Sequence, residues 1–223
     1  MREAKVASMK LSVQHAIAAI FLVLSFAAPV AADGSTQWKD VDNKALGALM
    51  VGDYATALKL IRPLADRGVA EAQVHLGAMY MEGLGVPRNY AEAVKWFQLS
   101  ADQGLADGQR WLGEMYFSGK GVPQNYAEAL KWFQLSAEQG DPWAQSRLGD
   151  MYSNTQGVPQ DYVRAYMWYL LAFATNEFVG RGLLRIEPHM TPSNSPRPRS
   201  SHVSGSELGS RLGSFLSHVR FGS

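Results

Sequence analysis

The residue types that do chemistry are present in this chain, but they recur instead of converging. Ser100 and Ser136 stand 36 residues apart, as do Glu92 and Glu128. A serine nucleophile needs a base to take its proton and an acid to orient that base. Neither serine has a histidine at a matching position. Two carboxylates divide acid and base roles only where their surroundings differ, and one glutamate per unit forms a ladder of equivalent sites. Gly-x-Gly triplets end at Gly85 and Gly121. They follow helical patterns and precede Val-Pro, so they read as turns and not as phosphate cradles. The histidines are His15, His75, His189, His202 and His218, with no spacing that pairs metal ligands; His75 reads as a helix packing residue. The chain lacks cysteine, which excludes disulfides and thiolate chemistry. The expectation is a non-enzyme with no catalytic residue, no metal and no cofactor.

What positions these residues is a repeat. Tyr54, Tyr90, Tyr126 and Tyr162 are spaced by 36 residues, and their neighbours repeat with them. A period of this length marks a stacked array, and such arrays present binding surfaces. The units are 53–88, 89–124 and 125–160, with a partial unit at 161–187 and a flanking helix within 33–52.

Each unit reads as two helices. Asp53, Asn89, Asn125 and Asp161 are the N-caps of the first, and Glu92 and Glu128, three residues on, resemble the second half of a capping box. Tyr90, Ala93, Val94, Phe97 and Ala101 fall on one helical face. Gly68, Gly104 and Gly140 end the first helix in a left-handed conformation, and Asn176 takes that position in the last unit. The second helix carries Leu112, Met115 and Tyr116, with counterparts in the units before and after. Gly77, Gly113 and Gly149 lie inside it. Mid-helix glycine costs about 1 kcal/mol against alanine, so one register held three times points to close approach of a neighbouring helix. Three departures stand out. Thr155 replaces Gly83 and Gly119, with Asn154 expected to take any backbone strain. Gly108 replaces Ala72 and Ala144. Pro63 is expected to kink or shorten its helix.

The A-x-x-W-F/Y runs (Ala93, Trp96, Phe97; Ala129, Trp132, Phe133), the run from Ala144 to Tyr152 and the loop from Gly119 to Ala129 resemble the Sel-1-like repeat family, relatives of the tetratricopeptide repeats. The resemblance spans roughly Trp38 to Asn176. It implies an all-α fold, a right-handed α-solenoid of antiparallel helix hairpins, and a role in binding a protein or peptide. The tryptophan row is offset by about 100° from the phenylalanine row. It either packs between units or forms an aromatic ridge. In the second case Lys95, Trp96, Gln98, Lys131, Trp132 and Gln134 line the binding groove. A few members of the family are described as cell-wall hydrolases of a lactamase-like kind, which is the alternative function.

The ends differ from the array. Arg2, Lys5 and Lys10 precede an apolar run from Ala16 to Val30, and Val30-Ala31-Ala32 fits a cleavage site. Residues 1–32 therefore read as a signal peptide cut after Ala32, giving a periplasmic or secreted protein; an uncleaved anchor is the other reading. The chain beyond residue 32 has 18 basic and 19 acidic side chains, which gives nucleic-acid binding no support. Residues 188–223 are rich in Ser, Gly, Pro and Arg and are expected to be disordered. Met190-Thr191-Pro192 precedes a helix in the resembled family. A second reading of the tail is thus a shifted frame from Ser193 onward, which would make the product truncated.

Overall fold

The computed structural model describes residues 35–176, 182–186 and 189. The leader, and the tail apart from His189, lie outside these residues. Among the described residues the chain is helical, with no strand. The helices are α1 (Ser35–Met50), α2 (Tyr54–Asp66), α3 (Ala70–Glu82), α4 (Tyr90–Asp102), α5 (Ala106–Ser118), α6 (Tyr126–Glu138), α7 (Pro142–Ser153), α8 (Tyr162–Thr175) and α9 (Gly182–Ile186). Each packs mainly on its neighbours in the chain, which stacks them into an α-solenoid. No helix among the described residues is long and apolar enough to cross a membrane.

The first helix of every unit begins where the tyrosines mark it. Asn89 Oδ1 accepts from the backbone N–H groups of Ala91 and Glu92 at 3.1 Å, and Asn125 repeats this with Ala127 and Glu128. The reciprocal half of the capping box is absent. The Asn89 and Asn125 N–H groups instead donate to the carbonyls of Tyr80 and Tyr116, at 2.8 and 2.9 Å. The preceding helix already supplies the acceptor, so Glu92 and Glu128 turn outward to Lys95 and Lys131.

Gly68, Gly104 and Gly140 close the first helices with φ of 91°, 85° and 90°. Asn176 does not copy them. Its φ of −152° is extended, and the chain leaves α8 without the left-handed turn that folds a hairpin back. Pro63 shortens nothing: α2 has 13 residues, like α4 and α6. Proline removes one backbone donor, and so near the helix end that loss is tolerated. The strain at the third loop falls on Thr155, with φ of 59°, while Asn154 sits at −109°. Thr155 occupies the left-handed site that Gly83 and Gly119 fill elsewhere.

The closest helix pairs join the second helix of one unit to the first of the next: α3 with α4, α5 with α6, α7 with α8. A Cβ at Gly77 would lie 2.7 Å from Cε1 of Phe97. At Gly113 it would lie 2.8 Å from Cδ1 of Phe133, and at Gly149 2.7 Å from Cδ1 of Tyr169. The mid-helix glycines are thus flat seats for aromatic rings. Beside them Leu76, Met79, Leu112, Met115, Leu148 and Met151 are fully buried. Gly108 has a separate cause. A Cβ there would overlap Ser100 and lie 2.8 Å from the backbone nitrogen of Ala101. Ser136, in the equivalent place, turns away to donate to the Ala106 carbonyl at 2.9 Å, and Ala144 fits.

His75 is buried, and burial lowers its pKa from the ordinary 6.5 to about 4. It is therefore neutral in the folded array near neutral pH. Between these two values only the unfolded chain takes up a proton there, so stability falls as pH drops from 6.5 towards 4.

Three outcomes follow from this packing. Gly113→Ala should lose about 1–3 kcal/mol in urea unfolding, because ring overlap outweighs alanine's helix preference; Phe133→Leu in the same chain should recover part of it. Thr155→Gly should gain about 1 kcal/mol by relieving the left-handed β-branched residue. Between about pH 7.5 and 4.5 the wild type should lose about 2–3 kcal/mol more than His75→Leu, measured by urea midpoints at each pH.

Candidate interaction surface

A solenoid offers its surface one helix face per unit. On α4, Lys95, Gln98, Leu99 and Asp102 follow the spacing that places side chains on one face. Lys131, Gln134, Leu135 and Glu138 repeat the set on α6. The polar members largely satisfy one another. Lys95 Nζ lies 2.5 Å from Glu92 Oε1, and Gln98 Nε2 donates to Asp102 Oδ1 at 2.7 Å. Lys131 stands 3.9 Å from Glu128 and 5.2 Å from the centre of the Trp132 ring. Exposed pairs of this kind contribute at most about 1 kcal/mol. The apolar members of the face stay open to solvent: Leu99 is 47% exposed and Leu135 38%.

The six residues expected at the groove divide. Lys95, Gln98, Lys131 and Gln134 share the exposed face. The tryptophans do not stand on it as a ridge. Trp132 is buried in the cluster of Val74, Ala78, Phe97, Leu112 and Met115, and Trp168 is buried one unit later. Trp96 is half-buried against the cluster that holds Ile61, Leu64, Leu76 and Met79. Each tryptophan packs back onto the unit before it, which is the packing alternative. Burial of so large a side chain removes far more apolar surface from water than a ridge would leave available. Their indole N–H groups at Trp96 and Trp132 are buried without a hydrogen-bond partner. Leu99 and Leu135 were not expected there. Their signal is two leucines in identical F-Q-L-S runs, off the stripe of Tyr90 and Phe97.

Glutamines lock adjacent units along the ends of these helices. Gln103 Nε2 donates to Gln73 Oε1 at 2.7 Å, and Gln139 Nε2 donates to Gln109 Oε1 at 2.8 Å. Gln139 also reaches the Gly104 carbonyl at 2.9 Å. The ladder stops at the last junction. Thr175 stands where a third donor would be and bonds its own helix at Leu171, leaving Gln145 Oε1 buried and unpaired.

The residues that invited a chemical reading have structural roles. Ser100 and Ser136 are fully buried, and Glu92 and Glu128 are ion-paired. Among the described residues no three His, Cys, Asp or Glu side chains gather as metal ligands.

The Sel1 repeat matches this chain at residues 70–105, 106–141 and 144–174. Each match covers a second helix and the first helix that follows, which are the pairs seated on Gly77, Gly113 and Gly149. No curated protein matches the sequence. Among solved structures, a protective antigen of uropathogenic Escherichia coli strains displaying an SLR fold is 37% identical, with a TM-score of 0.54. The match covers 62% of this chain and 33% of that one. A Sel1 repeat protein from Oxalobacter formigenes is 28% identical with a TM-score of 0.62, covering 68% of this chain and 62% of that one. This chain therefore spans less than two thirds of either. The period, the ring-on-glycine junctions and these matches agree: residues 70–174 of this chain carry three Sel1 repeats.

Proposed function

We propose that this chain is an exported, non-catalytic scaffold that binds a protein or peptide in the bacterial cell envelope. The observation that carries the reading is the exposed pair Leu99 and Leu135. They stand at one register of two stacked helices, on a face where Lys95 and Lys131 are paired with Glu92 and Glu128. Burying a leucine stabilises by about 1.5–3 kcal/mol, so two in line anchor a segment that lays apolar side chains across both helices. Gln98 and Gln134 flank them as hydrogen-bonding groups for its backbone or polar side chains. Helical arrays use such surfaces for extended or helical segments. Export rests on the signal pattern of residues 1–32, and the description of the Escherichia coli relative as a protective antigen agrees with it.

Crosslinking pull-down from the envelope fraction tests the whole reading. The wild-type chain should begin at Asp33 and recover a partner. Leu99→Asp with Leu135→Asp should recover at least tenfold less, with the helical circular dichroism of the wild type retained. Equal recovery by both forms would place the binding surface elsewhere.

A further inference from the structure

One pattern recurs on the first helices of the array. Lys59, Pro63 and Asp66 on α2 are followed by Lys95, Leu99 and Asp102 on α4, and by Lys131, Leu135 and Glu138 on α6. In each helix the lysine lies four residues before the apolar side chain and the acid three residues after it, so all three share one face. All nine are exposed. Stacked at one register, they form three rows across the array. The apolar row runs in the middle, with lysines along one edge and carboxylates along the other. The carboxylate row stands against local preference. Asp66, Asp102 and Glu138 are the last residues of their helices, where the helix dipole favours a cation. Among the described residues none of the three has an ion-pair partner; Asp102 accepts only from Gln98, at 2.7 Å. A placement that its own helix disfavours, repeated in three units, points to a cation arriving from outside. The lysines also have capacity left. Lys95 and Lys131 pair with Glu92 and Glu128 at the surface, where such pairs are weak, and an ammonium has three donors.

We propose that this face joins two copies of the chain about a two-fold axis that runs along the leucine row. The inference rests on the binding surface argued above and names its partner as a second copy. A surface that pairs with itself must carry its own complement. Rotation about that axis sets each leucine against its own copy and turns the facing helices antiparallel. It also lays the lysine row of each chain over the carboxylate row of the other. Lys95 then meets Asp102, Lys131 meets Glu138, and the reciprocal pairs form on the other side of the leucines. An axis running along the helices instead would set lysine against lysine. Edges of opposite charge therefore fix the orientation of the pair, and the leucines between them supply the area taken out of water.

Light scattering on the purified chain at about 100 µM, where a micromolar pair is largely associated, tests the contact. The wild type should have the mass of two chains. Lys95→Glu with Lys131→Glu makes both edges acidic, and Asp102→Lys with Glu138→Lys makes both basic. Each variant alone should be monomeric while keeping the helical circular dichroism of the wild type. An equimolar mixture of the two should recover a dimer with one chain of each, and a chain carrying all four changes should recover its own dimer. A monomeric wild type would overturn the proposal, as would edge variants that dimerise like the wild type. So would a dimer that survives Leu99→Asp with Leu135→Asp. A monomeric wild type that recovers another protein from the envelope, and loses it with those two aspartates, would overturn the dimer alone and leave the binding surface standing.

Discussion

An aromatic ring laid on bare helix backbone is the contact on which the array depends. Phe97 on Gly77, Phe133 on Gly113 and Tyr169 on Gly149 bring successive units closer than any side chain at those glycines would permit. The approach has a cost, since each glycine weakens its own helix by about 1 kcal/mol. It is outweighed by the ring and by the leucine and methionine layer beside it, all taken out of water. Because the contact crosses from one hairpin to the next, no hairpin completes its core alone. Stability then spreads along the chain as a sum over junctions.

Polar groups follow the same period and serve the same end. The caps at Asn89 and Asn125 satisfy the first turns of their helices, and their own N–H groups are held by the helix before them. Glutamine pairs 73–103 and 109–139 join neighbours at the opposite helix end. With these groups occupied by the scaffold, Glu92, Glu128 and Ser136 have partners in the fold, and Ser100 is fully buried. What stays exposed and apolar on α4 and α6 is small: two leucines in line.

The array also shows where repetition stops. Tyr169 keeps the ring over Gly149 and adds a hydroxyl that donates to Asp150 at 2.6 Å. Burial and that bond raise its pKa well above the ordinary tyrosine value. Thr175 ends the glutamine ladder, Asn176 leaves α8 in extended conformation, and Phe173 stands exposed. The fourth unit therefore closes its inner face and leaves its outer face unlike the others.

Much of this was legible in the chain itself, because three copies read one another. The tyrosine period, the caps, the terminal glycines and the close approach at Gly77, Gly113 and Gly149 all follow from local rules applied at a fixed spacing. Single departures were read less well. Thr155, not Asn154, takes the left-handed site, since the loop geometry is imposed by the helices on either side. Glu92 and Glu128 leave the caps because a carbonyl from another helix arrives first. Periodicity places the tryptophans on a stripe of their own, but it cannot tell whether that stripe meets solvent or the preceding unit. Sequence alone determined that the chain is a tandem helical array, since capping and amphipathic spacing act within about one helical turn. Only the tertiary structure decided that the tryptophans are packing, that Leu99 and Leu135 are exposed and that the last unit is open. Exposure is a property of what lies opposite a side chain, and that neighbour is some 30 residues away.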